Sequence, residues 1–154
     1  MLCPPLLNIL DDTDTVIRSR AFKISQELIP KLGKALLLRS GLSAVFQSAL
    51  FPNLAVLPSL ASEKESVMIL VPAYQTLFCL AGVLQEDFIY QSDSESVNLL
   101  QRILRDGVFM GIDHVGRNPT IIRILMYQSA LAVRALGLET SKYLQVCSYC
   151  QVFI

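Results

Sequence analysis

The sequence predicts an all-α protein built from stacked helical hairpins. Three observations predict it: apolar residues recur at helical spacing through most of the chain, capping signals precede the recurrences, and proline or glycine falls between them. At 154 residues the chain has the length of one ordinary domain. It is 53% hydrophobic and 17% charged, against roughly 45–50% and about 25% in common soluble domains. Either it buries more than a free monomer normally can, or it offers apolar surface to a partner. Seven Pro, seven Gly and no Trp fit a helical protein that uses proline as punctuation.

The first hairpin runs from Leu6 to Leu32. Leu6, Leu7, Ile9 and Leu10 make an apolar patch, Asp11, Asp12, Thr13 and Asp14 interrupt it, and Ile17, Ala21, Ile24 and Leu28 resume it. Those four fall at i, i+4, i+7 and i+11 and so share one helical face, with Ser19, Lys23 and Gln26 opposite, toward water. The aspartates suit the start of the second helix, because carboxylates there accept hydrogen bonds from unpaired N–H groups and sit at the positive end of the dipole. A leucine-rich first helix, Asp12 in the turn, Val16 and Arg18 opening the second helix and Ala21 behind them resemble a HEAT repeat. Such units stack into solenoids because one pair cannot bury its apolar face alone. A hairpin in a compact bundle shares every feature except the stacking.

The later elements follow in order. Pro30 and Gly33 weaken or end the second helix. Between residues 35 and 58 two apolar segments meet at Ser40-Gly41, Pro52 opens a third, short one, and Leu42, Val45, Phe46, Ala49 and Leu50 keep helical spacing. Ser62-Glu63-Lys64-Glu65 fits a capping box, opening a helix with Val67, Leu70, Val71, Tyr74, Leu77, Phe78 and Ala81 on one broad face. Pro72 is expected to kink that helix or divide it in two. Residues 86–94 read as a long connection. A second capping-box pattern, Ser92-Asp93-Ser94-Glu95, precedes a helix marked by Val97, Leu100, Leu104 and Val108 and ending near Gly111. Asn118-Pro119 starts the next helix, Ile121, Leu125, Ala132 and Leu136 define its face, and Gly137 stops it. A last helix begins near Thr140.

Thirteen basic residues balance thirteen acidic ones, but in blocks. Residues 1–14, 15–62, 63–113 and 114–154 carry −3, +5, −5 and +3 in turn. Alternating blocks favour protein contacts and give no basic stripe of the sort a phosphate backbone needs. Arg18, Arg20 and Lys23 form the best polar candidate for a protein interface. The plainer reading is a solvated face screened by Asp11, Asp12 and Asp14, where exposed pairs are worth about 0–1 kcal/mol.

Catalytic and metal chemistry find little support. Cys147 and Cys150 form a CxxC, but zinc wants four ligands and neither Cys3, Cys79 nor His114 stands at paired spacing. A redox CxxC belongs near a βαβ pattern, which is absent. On a helix, i and i+3 simply place two small apolar residues on one face. His114, the single histidine, follows Asp113; helical neighbours point about 100° apart, so they make no oriented acid–base pair. There is no nucleophile elbow and no phosphate-binding glycine run. With no secretory signal ahead of them, the four cysteines are expected to be reduced. The competing structural reading is a small helical membrane-associated protein, since Val67 to Leu84 is eighteen residues without a charge. Its interior contains Pro72, Tyr74, Gln75 and Thr76, and acidic flanks on both sides give no positive-inside asymmetry.

Ser40-Gly41-Leu42, Val45-Phe46, Ala49-Leu50-Phe51-Pro52 and Leu57-Pro58-Ser59-Leu60 resemble the fungal form of the Tel-two-interacting protein two family, the HEAT-like subunit of the Triple-T complex. The likeness continues through Pro72-Ala73-Tyr74, Ile103-Leu104-Arg105-Asp106-Gly107, His114-Val115, Asn118-Pro119-Thr120, Gly137-Leu138 and Lys142-Tyr143-Leu144. Val146-Cys147-Ser148-Tyr149-Cys150 departs from it, and the family has a long N-terminal portion where this chain reaches Pro4 at once. The chain is therefore expected to be a single α-solenoid segment over 1–154, about three hairpins of a longer repeat array. The resemblance implies a non-catalytic scaffold, cytoplasmic and nuclear, that binds the other Triple-T subunits. With the Hsp90 chaperone system it would support maturation and stability of phosphatidylinositol-3-kinase-related kinases. It implies no cofactor, metal or catalytic residue, and no nucleic acid, membrane or small-molecule substrate.

Overall fold

The computed structural model describes residues 3–83 and 94–137, and among them there are helices and turns and no strand. The order is α1 (Cys3–Leu10), α2 (Thr15–Leu32), α3 (Lys34–Arg39), α4 (Leu42–Leu50), a 3₁₀ turn (Phe51–Ala55), α5 (Glu63–Leu80), α6 (Ser94–Arg102), a π-helical segment (Ile103–Phe109), α7 (Met110–Val115) and α8 (Pro119–Leu136). The fold is all-α. The expected last helix from Thr140, the Cys147–Cys150 pair, the cap at Ser92 and the connection expected over 86–94, apart from Ser94, which already belongs to α6, lie outside the described residues.

Capping chemistry sets the starts of the three long helices, each 18 residues. Asp14 accepts from Val16 N–H at 2.7 Å and Ile17 N–H at 3.2 Å, while its own N–H donates to Asp12 Oδ1 at 2.8 Å. At α5 the capping box is complete: Glu65 N–H donates to Ser62 Oγ at 3.3 Å, and Ser62 N–H to Glu65 Oε2 at 2.9 Å. Asn118 Oδ1 takes the N–H groups of Thr120 and Ile121, both at 3.1 Å, with Pro119 at the first helical position. Gly33 at φ 73° ends α2 and Gly137 at φ 52° ends α8. The break at Ser40-Gly41 and the short turn at Pro52 fall where expected.

The long helices run in the same sense. Phe22 O accepts from Thr76 Oγ1 at 3.4 Å and Gln26 O from Cys79 Sγ at 3.6 Å, so α2 and α5 advance together. Asn118 Nδ2 reaches Glu63 Oε2 at 2.8 Å, which sets the beginnings of α5 and α8 side by side. Being flanked by α2 on one side and by α8, α4 and the 3₁₀ turn on others, α5 buries more than one face. Ile69, Ala73, Thr76 and Leu80 are buried as well as the expected Leu70, Tyr74, Leu77 and Phe78. One apolar core, with Phe22, Phe46, Tyr74 and Phe78 at its centre, joins all the elements.

Three expectations need correction. First, of the two outcomes expected at Pro72, division does not occur: α5 is one helix through it. A proline in a helix interior costs about 3 kcal/mol, but Ile69, Leu70, Tyr74 and Leu77 around it are wholly buried, each contributing about 1.5–3 kcal/mol. Burial therefore outweighs the break. Second, the face of α2 is rotated from the expected one. Ile17 and Ile24 are 42% and 54% exposed, and the buried row is Ala21, Phe22, Ser25 and Ile29. Gln26, expected in water, is half-buried and donates from Nε2 to Pro72 O and Thr76 Oγ1, both at 3.1 Å. Third, the helical run from Ser94 continues past Gly111 to Val115, through the π segment.

Gly107 explains where that segment sits. A Cβ there would stand 2.9 Å from Leu54 Cδ1 and 3.0 Å from the Tyr74 hydroxyl, so only glycine lets the π turn lie against the 3₁₀ turn and α5.

Candidate functional site

Of the three residues singled out on α2, the structure separates one from the other two. Arg18 is half-buried and donates from Nη1 to Asn53 Oδ1 at 3.1 Å, while Asn53, itself buried, donates from Nδ2 to Ala49 O at 2.9 Å. Arg18 thus ties α2 to the 3₁₀ turn inside the fold. Arg20 and Lys23 are exposed on the far side of α2, in a row with Val16, Glu27 and Lys31. They remain accessible to a partner; Arg18 does not share their face.

A larger surface feature lies between α5 and α8. The expected row of α8, Ile121, Leu125, Ala132 and Leu136, is fully committed to the core. A second row on the same helix, Thr120, Arg123, Ile124, Tyr127, Gln128 and Leu131, keeps i, i+3, i+4 spacing and forms, with Val71, Gln75 and Phe78 of α5, an open groove of about 550 Å³. Tyr127 is 63% exposed. Gln128 is buried, yet its Oε1 has no hydrogen-bond partner. The periodic second row was visible in the sequence, but nothing there distinguished a row covered by a neighbour from one left open.

The π segment bounds a smaller cavity of about 200 Å³ with Leu54, Leu57, Leu60, Gly107, Met110 and His114. Asp106 at its edge takes Arg105 Nε at 2.7 Å and Arg102 Nε at 3.3 Å, and the Arg105 hydrogen bond, more than any other cause, holds its carboxyl below the usual range. The Arg102 guanidinium lies 4.0 Å from the Phe51 ring centroid. His114, exposed at the end of α7, places Nδ1 2.7 Å from Met110 O. That contact ties its ring to the backbone of its own helix end.

Other polar groups inside the fold are structural. Burial raises the Tyr74 phenol far above its ordinary value, and its hydroxyl, without a hydrogen-bond partner, faces Gly107. The Cys79 thiol is pushed up by burial and donates to Gln26 O, the reverse of what a reactive thiolate needs. Among the described residues no cluster of three His, Cys, Asp or Glu side chains is arranged to hold a metal, and no helix is long and apolar enough to cross a membrane. The uncharged stretch from Val67 is instead the buried core of α5.

No curated protein and no solved structure matches the chain. The model of the Tti2 family, the Tel-two-interacting protein two family to which the sequence motifs pointed, matches residues 1–151, nearly the whole chain. The chain belongs to the Tti2 family.

Proposed function

We propose that this chain is a non-catalytic scaffold subunit of the Triple-T co-chaperone complex. The observation that carries the reading is the family match over residues 1–151. Its direct partners would be the other Triple-T subunits, and through them it would act with the Hsp90 system on the maturation and stability of phosphatidylinositol-3-kinase-related kinases, in cytoplasm and nucleus. Binding alone is the mechanism. Three long helices of equal length, each preceded by shorter ones and running in one sense, suit a HEAT-type solenoid in which repeats hold partners through many modest contacts. Arg20 and Lys23 are available for one such contact.

The test is affinity purification of the tagged chain from its native host, followed by depletion. Other Triple-T subunits co-purify, and the large kinases fall in abundance when the chain is depleted. Purification without those subunits, and kinase levels unchanged on depletion, overturn the reading.

A further inference from the structure

The groove between α5 and α8 has the chemistry of a binding site for one defined kind of partner. Its floor and walls are apolar, from Phe78 of α5 and Ile124, Tyr127 and Leu131 of α8. No acidic side chain lines it. Arg123 is exposed on it and makes no ion pair among the described residues, and from 114 to 137 the chain carries Arg117, Arg123 and Arg134 with no acid at all. The buried Gln128 Oε1 lacks a donor. From Thr120 to Leu131 the open row extends about 16 Å, or three turns. Two helices side by side offer a furrow that accepts a third helix through its i, i+3, i+4 anchors, whereas an extended segment would find no strand edge to pair with.

We propose that this groove seats one amphipathic helix of another protein. The apolar face of that helix packs on Phe78, Ile124, Tyr127 and Leu131, and a carboxylate on it pairs with Arg123. A second copy of this chain is the poorer occupant, because the outward row of α2 is itself basic, with Arg20, Lys23 and Lys31 against Glu27. An apolar helix bearing an acid meets both the shape and the sign. The proposal rests on the reading of the chain as a Triple-T subunit, and it specifies the face and chemistry of that assembly.

The experiment uses the full chain reconstituted with the other Triple-T subunits, with a photoreactive benzoylphenylalanine at Tyr127 in one sample and at Lys23 in another. The expected result is a crosslink from position 127 to a helical, acid-bearing segment of another subunit. Arg123→Glu is expected to weaken assembly at least about 10-fold, and Tyr127→Ala by a similar factor. Both residues are exposed, so the circular dichroism spectra and melting curves of the variants match the wild type. If the complex assembles with Arg123→Glu as tightly as with wild type and position 127 gives no crosslink, the groove proposal is overturned while the subunit reading stands. A crosslink joining two copies of this chain also overturns it. If the unmodified chain assembles with no Triple-T subunit, both readings fall.

Discussion

The seam between α2 and α5 is closed, and the seam between α5 and α8 is open along one side. In the first, Gln26, Thr76 and Cys79 exchange hydrogen bonds with the facing helix, while Phe22 is wholly buried between them. In the second, Asn118 and Glu63 join the helix starts, and farther along Tyr127 stands in solvent above an apolar furrow. Both seams are built from helices of the same length running in the same sense. The difference lies in what each row meets: one is covered by its neighbour within the chain, and the other presents the same kind of periodic surface uncovered.

The largest test of that contrast is in the closed seam. Phe22→Ala removes a fully buried ring from the contact of α2 with α5 and is expected to cost about 3–5 kcal/mol, read as a lowered denaturant midpoint at unchanged slope. A change below about 1 kcal/mol would mean the seam is loosely packed. Gly107→Val comes next. Its Cβ would press on the Tyr74 hydroxyl and Leu54, and the expected cost of such overpacking is about 1–3 kcal/mol, measured by thermal melting; a neutral result would show that the π turn can withdraw from α5.

A smaller, pH-dependent effect separates the two seams by chemistry. The Glu63 carboxyl is held below its ordinary value chiefly by the hydrogen bond from Asn118. A group whose folded value is lowered stabilises the fold above its unfolded value, and that contribution is lost as pH falls through the folded one. Acidification through the carboxylate range therefore loosens the start of the α5–α8 seam, whereas the α2–α5 bonds, made between uncharged groups, do not respond. Comparing stability against pH for wild type and Glu63→Gln checks this: the two curves converge at low pH if the bond matters, and stay parallel if it does not. The smallest effect is at the open seam. Tyr127→Ala is expected to change the stability of the isolated chain by no more than about 0.5 kcal/mol, and a larger loss would show that the ring is already engaged within the fold.

How much of this was legible in the sequence depended on whether a residue's job was local. Asp14, Ser62 with Glu65, Asn118 with Pro119, and Gly137 act on their own helix ends, and each was readable from a few neighbouring residues. The apolar row of α8 was readable because Ile121, Leu125, Ala132 and Leu136 all reach the core. The buried row of α2 was not, because it includes Ser25, whose hydroxyl donates to Ala21 O at 2.9 Å, beside the half-buried Gln26, which reaches across to Pro72. A polar residue that satisfies itself on a backbone carbonyl looks from sequence like one facing water. The π segment escaped for a similar reason, since Gly107 reveals its purpose only beside Tyr74 and Leu54. Of the candidate interface residues, Arg20 and Lys23 are accessible as their pattern suggested, and Arg18 points inward to Asn53, a partner 35 residues away. The groove itself is a row left open beside α5, and periodicity carries no mark of that.

The measurement that tests the central claim most directly is amide hydrogen exchange of the full chain, alone and assembled with the other Triple-T subunits. The account predicts slowed exchange over 71–78 and 120–131 on assembly, with 22–29 of α2 unchanged because that seam is already closed. Unchanged exchange at 120–131 in a complex that does assemble, with new protection confined to other parts of the chain, would contradict it.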